Sequence, residues 1–511
     1  MKIKYTFYSI LFTGLLLAGT SCSKSFLELE PQGQVLESNY YQTPEQVFSA
    51  LVAVYHATAA ETDWGINWYA NKLAPLNAAG DECYAGGGSS TDMMSYQVWN
   101  NYSMTPANAV SSKFWAQDYA GIYRANLLIS KLANDVPGLS AGNKERYIAE
   151  CKTLRAYFYF ELVRLFKNIP LSTEPISTAD MYNIEQADPA DVYAQIELDL
   201  NDAIPVLPST VSSSENGRLT KGAAMALLGK AILYQNDNAR MAEAASWLNK
   251  VNTSGVYDLL PNYKDIFDPG NKFNAESIWE ICHSGTSQAW WGTGDYKGNI
   301  YCTMIGPRSY SALTDPVHGA PDADHTYYSG WSFNPIIKSF AAKIHNDPRY
   351  KYTVADLDSL VALGQASYFP GYDNTGLFIQ KHAPLLKWKA TIGQAELNWP
   401  NNVIEIRLAD TYLMEAEALI RGGGSATRAQ ELLDDVRDRV DLDPVPATLD
   451  NIYNERMLEL ATEGHRWFDL VRTGKAATAL AFKGFVAGKH EVLPIPLEEL
   501  NNTKMVQNPN Y

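Results

Sequence analysis

The sequence predicts a mostly α fold in which paired helices form a repeat and pack against an irregular, loop-rich half. Three observations carry this. Apolar residues recur every three or four positions through most of the periodic segments. Two of those segments, starting at Ala231 and Ala416, match each other at equal offsets. Between them, residues 252–406 are rich in Gly, Pro, Asn, Tyr and Trp and poor in helical pattern. Of 511 residues, 46% are hydrophobic and 12% aromatic, ample for a core and too much for global disorder.

The chain begins with two lysines (Met1-Lys2-Ile3-Lys4), a mostly apolar run from Tyr5 to Ala18, and the small residues Gly19-Thr20-Ser21 before Cys22. Positive charge, apolar stretch and small residues, in that order, make an export signal. A cysteine placed directly after them makes residues 1–21 a lipoprotein signal peptide and Cys22 the lipidated residue, although Gly19 stands where Leu is usual. Each buried acyl CH₂ adds ~0.8 kcal/mol of membrane affinity, so several chains on Cys22 anchor stably. No later segment has 18 uninterrupted apolar residues, so residues 22–511 read as one body on a tether.

The first helical unit falls near 40–60. Thr43-Pro44 supplies an N-cap and a first-turn proline, and Phe48, Leu51, Val52 and Tyr55 follow at helical spacing. Residues 112–133 place Phe114, Trp115, Tyr119, Ile122, Tyr123, Leu127 and Leu128 on one face. Residues 145–167 do the same with Ile148, Cys151, Leu154, Phe158, Leu162 and Leu165, and Asn168-Ile169-Pro170 stops them. Together, 112–167 form a candidate hairpin. In the two matching units, 218–251 and 407–440, Tyr234 meets Leu419, Ala244 meets Ala429, Trp247 meets Leu432, Leu248 meets Leu433 and Val251 meets Val436. Each is helix, polar break, helix, a unit of tetratricopeptide type that cannot bury its apolar face without stacked neighbours. Long irregular inserts in compact proteins are usually functional, so 252–406 is the expected ligand-binding region. Residues 61–103 share its character.

Asp plus Glu outnumber Lys plus Arg by 57 to 41, and the net charge of −16 argues against nucleic acid. No C-x₂-C or paired-His spacing marks a metal site, and nothing in the sequence points to a cofactor. Export permits disulfides. Cys151 reads as a buried thiol on a helix, whereas Cys83, Cys282 and Cys302 lie in loop-like stretches, which allows one disulfide among them. The sequence lacks G-x-S-x-G, H-E-x-x-H and a Walker A loop. No local pattern singles out the carboxylate pair a glycosidase needs. The chain therefore reads as a binding protein, not an enzyme.

Several stretches resemble the SusD/RagB family of outer-membrane nutrient-binding lipoproteins. They run from Phe26-Leu27-Glu28-Leu29-Glu30-Pro31 and the Tyr40–Thr43 entry to the first helix, through Trp115-x₃-Tyr119-x₂-Ile122-x-Arg124-Ala125-Asn126, to Glu150-x₄-Arg155-Ala156-Tyr157-Phe158 and Ile169-Pro170-Leu171. Gly217-Arg218-Leu219-Thr220 and Arg407-Leu408-Ala409-Asp410 follow. The strongest stretch is Glu455-Arg456-x₂-Glu459-Leu460-x₂-Glu463-Gly464-x-Arg466-Trp467-x-Asp469-Leu470-x-Arg472, and Leu493-Pro494-Ile495-Pro496 comes near the end. The resemblance covers nearly all of 22–511 and departs most in the insert. It implies a SusD-like fold of four tetratricopeptide units against an irregular ligand-binding half. It also implies a surface-exposed outer-membrane lipoprotein that delivers a glycan, or in some members a peptide, to a SusC-like TonB-dependent transporter.

The motif Glu455–Arg472 holds enough carboxylate, guanidinium and imidazole to suggest catalysis. Its spacing is that of helix-surface pairing, Glu463 with Arg466 and Asp469 with Arg472, and its apolar residues suit burial. A structural ion-pair network is the expected role, with His465 a structural histidine.

Aromatic rings suit the apolar C–H face of a sugar, and amides or guanidinium suit its hydroxyl rim. Two clusters have this composition: Trp64, Trp68, Tyr84, Trp99, Asn101 and Tyr102, and then Trp290, Trp291, Tyr296, Tyr301, Arg308, Tyr310 and Trp331. Trp290-Trp291 leads, because adjacent residues of an extended stretch point to opposite sides and both are hard to bury. Trp115, Trp247, Trp279 and Trp467 read as core. A few stacked rings and hydrogen bonds give an affinity of ~10–100 μM. The expected function is glycan capture for a transporter. A cleft with few exposed rings would instead indicate a peptide or glycopeptide receptor. Buried rings throughout, with an apolar patch on the repeat, would indicate a protein-binding scaffold.

Overall fold

The computed structural model describes residues 40–59, 72–107, 109–291, 296–501 and 503–511. The signal segment, Cys22, Trp64 and Trp68 lie outside them. Eight helices, α1 (Pro44–Ala59), α2 (Ala109–Lys131), α3 (Ala141–Phe166), α4 (Pro189–Ala203), α5 (Lys221–Tyr234), α6 (Met241–Asn252), α7 (Leu408–Arg421) and α8 (Ala426–Asp438), form the array. Each packs on the next, so α1/α2, α3/α4, α5/α6 and α7/α8 make four antiparallel pairs in series. No helix among the described residues is long and apolar enough to cross a membrane.

Local chemistry sets the helix starts. The Thr43 hydroxyl accepts from the Gln46 N–H. Ser140, Asp188, Thr220 and Ser425 cap α3, α4, α5 and α8 in the same way. Helix α4 is not among the elements expected from periodicity, although Asp188-Pro189 is an N-cap with a first-turn proline. Helices α2 and α3 pack together as the expected hairpin, and α4 adds a second partner for α3 on its other side. Clamped between them, α3 is buried around most of its circumference, Tyr157 to Phe160 without a break.

Residues 252–406 return the chain from α6 to α7 through short helices and three two-stranded antiparallel ribbons. β1 (Ser277–Ile281) pairs with β6 (Val403–Arg407), β2 (Ser311–Ala312) with β4 (Ala366–Ser367), and β3 (Val354–Asp356) with β5 (Leu377–Ile379). β6 runs directly into α7, which fixes Arg407 at their junction, opposite Ser277.

Around Arg407 lies the charged network. Its guanidinium reaches Glu276 at 2.9 Å, Glu459 at 2.5 Å and Glu463 at 2.8 Å. Arg349 adds Glu455 at 2.6 Å and Glu459 at 2.8 Å, Arg439 adds Glu276 and Glu459, and Lys381 adds Glu463 at 2.7 Å. All of these side chains are buried. The expected Asp469–Arg472 pair forms at 2.7 Å. The expected Glu463–Arg466 pair does not. The turn at Thr462 and Gly464 separates the two residues, and Arg466 instead pairs with Asp81 at 2.6 Å. His465 is buried, and burial together with the nearby Lys230 cation lowers its imidazole to about 4, so it is neutral.

Cys83, Cys151, Cys282 and Cys302 are all free thiols, so the disulfide that the sequence allows among Cys83, Cys282 and Cys302 does not form. Cys302 lies in the buried helix Ile300–Ile305 and not in a loop, and Cys83 is fully buried in the core. Both act as small apolar residues.

Candidate functional site

The insert and the segment 83–92 meet along bridges between Cys83 and Ile336 and between Gly86 and Phe333. Only glycine fits at Gly86: its φ is +70°, and a Cβ there would stand 2.4 Å from Pro335. This close approach brings four loops to one surface. The Gly87 N–H donates to Ser332 O at 2.8 Å, and the Tyr372 N–H donates to Gly87 O at 2.8 Å. The Phe369 N–H donates to Arg308 O at 2.8 Å, and the Arg308 N–H donates to the Ser332 hydroxyl at 2.9 Å. Ser332 and Asn334, both buried, hold positive φ of 61° and 50°, a strained backbone that aims the adjoining Trp331.

Trp331 stacks on Trp291 with ring centroids 5.9 Å apart and planes tilted by 31°. Trp290 is 56% exposed and Trp291 38%. The Tyr296 hydroxyl donates to the Trp290 carbonyl at 3.0 Å and braces the segment. Beside the pair, the Arg308 guanidinium donates to Trp331 O at 3.0 Å and stands 3.5 Å from Asp92. Asp92 also accepts from the Gly88 N–H at 2.7 Å. Phe369, 61% exposed, and Tyr372, 37% exposed, complete the surface. Exposed rings next to a guanidinium and a carboxylate are the groups that meet a sugar's apolar face and its hydroxyls.

Of the residues named from sequence, the structure thus brings together Trp290, Trp291, Tyr296, Arg308 and Trp331. Four others are core and not surface. Trp99 packs edge-on against Phe114 and Trp467 at 5.8 and 6.2 Å. Tyr102 is buried against Phe485 and donates to Ala79 O at 2.5 Å. Tyr301 is fully buried between Asn77 and Asn334, and Tyr310 sits in a small core with Tyr327. Each of these rings contributes to packing beneath the surface, where burying about 150–250 Å² of aromatic area is stabilising. Tyr84 is half-buried beneath the Lys483 ammonium. Asn101 is exposed, but its side-chain oxygen accepts from Ser103 within a tight turn. Trp115, Trp279 and Trp467 are buried as expected, while Trp247 is half-buried under Lys250. Asp92, Phe369 and Tyr372 are not among the residues expected from sequence. The signals for them are the glycine run 86–88 before Asp92 and the aromatic pair flanking Pro370-Gly371.

Comparison with known proteins agrees with this architecture. Residues 338–511 match the model of the SusD family, and residues 25–233 match the family described as starch-binding associating with outer membrane. The chain is 26% identical to SusD-like protein P25 of Formosa agariphila over 96% of each chain. It is 25% identical to the starch-binding protein SusD of Bacteroides thetaiotaomicron over 73% of this chain and 74% of that one. Among solved structures, a laminarin binding SusD-like protein shares 45% identity over 92% of this chain and all of its own, with a TM-score of 0.86. Surface glycan-binding protein A from Bacteroides thetaiotaomicron, in complex with laminarihexaose, shares 29% over 91% of this chain and 99% of its own, with a TM-score of 0.81. With its four serial helix pairs, its loop-rich insert and a match of this extent, the chain belongs to the SusD family.

Proposed function

We propose that the protein is a glycan-binding lipoprotein of the outer membrane, lidding a TonB-dependent transporter of SusC type, and that laminarin is its first candidate ligand. The observation that supports this reading is the stacked pair of an exposed Trp291 and a half-buried Trp331, with Arg308 and Asp92 at its side. The tilt between the rings makes a stepped platform, which suits a glucan that turns along its length better than a flat one. Trp290, Phe369 and Tyr372 extend the apolar surface to neighbouring sugar rings. Affinity built from a few stacked rings and neutral hydrogen bonds is ~10–100 μM, weak enough for release to a transporter. Cys22 carries the lipid. The protein binds and presents its ligand and performs no chemistry on it.

Native affinity gels of residues 23–511 against laminarin, starch, xylan and mannan test the reading. Retardation by laminarin, lost in Trp291→Ala/Trp331→Ala, is the expected result. Retardation that survives the double variant moves the site to another part of the insert. No retardation by any polysaccharide, with the fold intact, sinks the glycan reading and favours peptides.

A further inference from the structure

We propose that a second pocket, walled by Phe267, Tyr352 and Trp388 and rimmed by Lys264 and Lys351, binds an acidic sugar residue, a ring bearing a carboxylate or a sulfate. The pocket is a half-open cavity of about 120 Å³. Asp268, Asp324, His325, Lys381, Lys387 and Asn401 also line it, and none of its residues belongs to the Trp291–Trp331 surface.

Charge is the first observation. Four lysines face two aspartates in this cavity, within a chain of net charge −16. Two of the lysines are engaged: Lys387 pairs with Asp324 at 2.7 Å, and Lys381 is held below by Glu463 at 2.7 Å and by the Glu459 carbonyl. Lys264 and Lys351 have no carboxylate within 4.0 Å among the described residues, and Lys351 extends over the Tyr352 ring at 4.9 Å. A local excess of ammonium groups on an acidic protein selects an anion, which charge-assisted hydrogen bonds then hold.

The second observation is independent of charge. Phe267, Tyr352 and Trp388 wall the same cavity, and Trp388 is half-buried. An aromatic ring covers the C–H side of a sugar, and the acid group reaches Lys264 and Lys351. An inorganic anion satisfies only the lysines, and a neutral sugar satisfies only the rings. An acidic sugar satisfies both sets.

Titration of the purified protein with glucuronate, glucose 6-sulfate, glucose and inorganic sulfate, read by isothermal calorimetry and saturation-transfer NMR, tests this. Both acidic sugars should bind, and glucose should not. Lys264→Ala/Lys351→Ala, two exposed positions, should weaken glucuronate about tenfold or more. Trp388→Ala removes a ring from the wall, and should weaken binding severalfold without changing the preference for acid. Trp291→Ala/Trp331→Ala should leave glucuronate binding unchanged, so failure here is distinct from failure of the platform. The proposal is overturned if glucose binds as tightly as glucuronate. Equal binding by inorganic sulfate, or full retention in the double lysine variant, would overturn it as well.

Discussion

Two regions of this molecule crowd together the residue types that usually mark function, and they differ in how those residues are satisfied. Around Arg407, guanidinium, ammonium and carboxylate groups meet in a dry interior, and each cation has carboxylate partners from its own chain. Around Trp291, rings and a guanidinium face outward, with part of their bonding capacity left for something else. The Arg407 region has the composition of a catalytic centre and is architecture. The Trp291 region has the composition of a loop and is the binding surface proposed above. Residue type alone does not separate them. Internal saturation does.

The sharpest way to break the comparison is Arg407→Met. It strips Glu276, Glu459 and Glu463 of a shared cation inside the protein. Removing one partner of a buried ion pair costs ~3–5 kcal/mol, so the urea midpoint should fall steeply or the chain should fail to fold. A midpoint within about 0.5 kcal/mol of the parent, the range of ordinary surface substitutions, would mean that the network is dispensable.

Acid should attack the same region next. Burial alone would raise Glu463, but Arg407 and Lys381 overcome it and hold the carboxyl at about 2. Its contribution is therefore complete above an unfolded value of ~4.3 and is lost as pH falls towards 2. Burial lowers His283 to about 3 and His382 and His465 to about 4, so they too withdraw stability as pH falls below ~6.5. Asp118 and Glu82 act in the opposite sense. Burial raises them to about 7 and about 8, against Lys72 and Arg466, and they favour the fold at low pH and weaken it as pH rises. The two trends oppose each other between ~4.5 and ~6.5, and below that only the destabilising one acts. Urea midpoints should thus change gently from pH 7 to 5 and fall steeply below 4.5. A flat profile down to pH 3 would contradict the assignment.

On the binding side, Trp291→Ala/Trp331→Ala should cost laminarin affinity about tenfold or more, with a far smaller effect on stability than Arg407→Met. Equal losses of binding and stability would make these rings core. Arg308→Ala is the mildest test. Removing one hydrogen-bonding group at the rim should weaken binding about threefold to tenfold, measured by calorimetry.

The helices were legible because their signals are local: caps at Thr43 and Thr220, three-and-four spacing, and a repeated unit at 231 and 416. Even α4 carried its cap in plain sight. The site was half legible. Trp290 and Trp291 could be singled out because neighbouring residues of an extended segment cannot readily both be buried. Tyr301 and Tyr310 had the same composition around them but were claimed by partners far away in sequence, Asn77 and Asn334 for one and Tyr327 for the other. Phe369 and Tyr372 are brought to the surface by backbone bonds to Arg308 and Gly87, long-range pairings with no periodic trace, while the Asp92 carboxylate accepts locally from the Gly88 N–H.

The junction of β6 with α7 has one more consequence, for the order in which the chain is made. Glu276, Arg349, Lys381 and Arg407 are synthesised well before Glu455, Glu459 and Glu463, which neutralise the cations among them. Until helix Leu449–Glu459 and the turn after it arrive, Arg349, Lys381 and Arg407 have only Asp347 and Glu276 to answer them, one carboxylate too few for the ribbon of β1 and β6 to close dry. The late segment therefore works as a completeness check. A chain interrupted before it should keep an unmatched cation in this interior and be cut faster in limited proteolysis than the finished one.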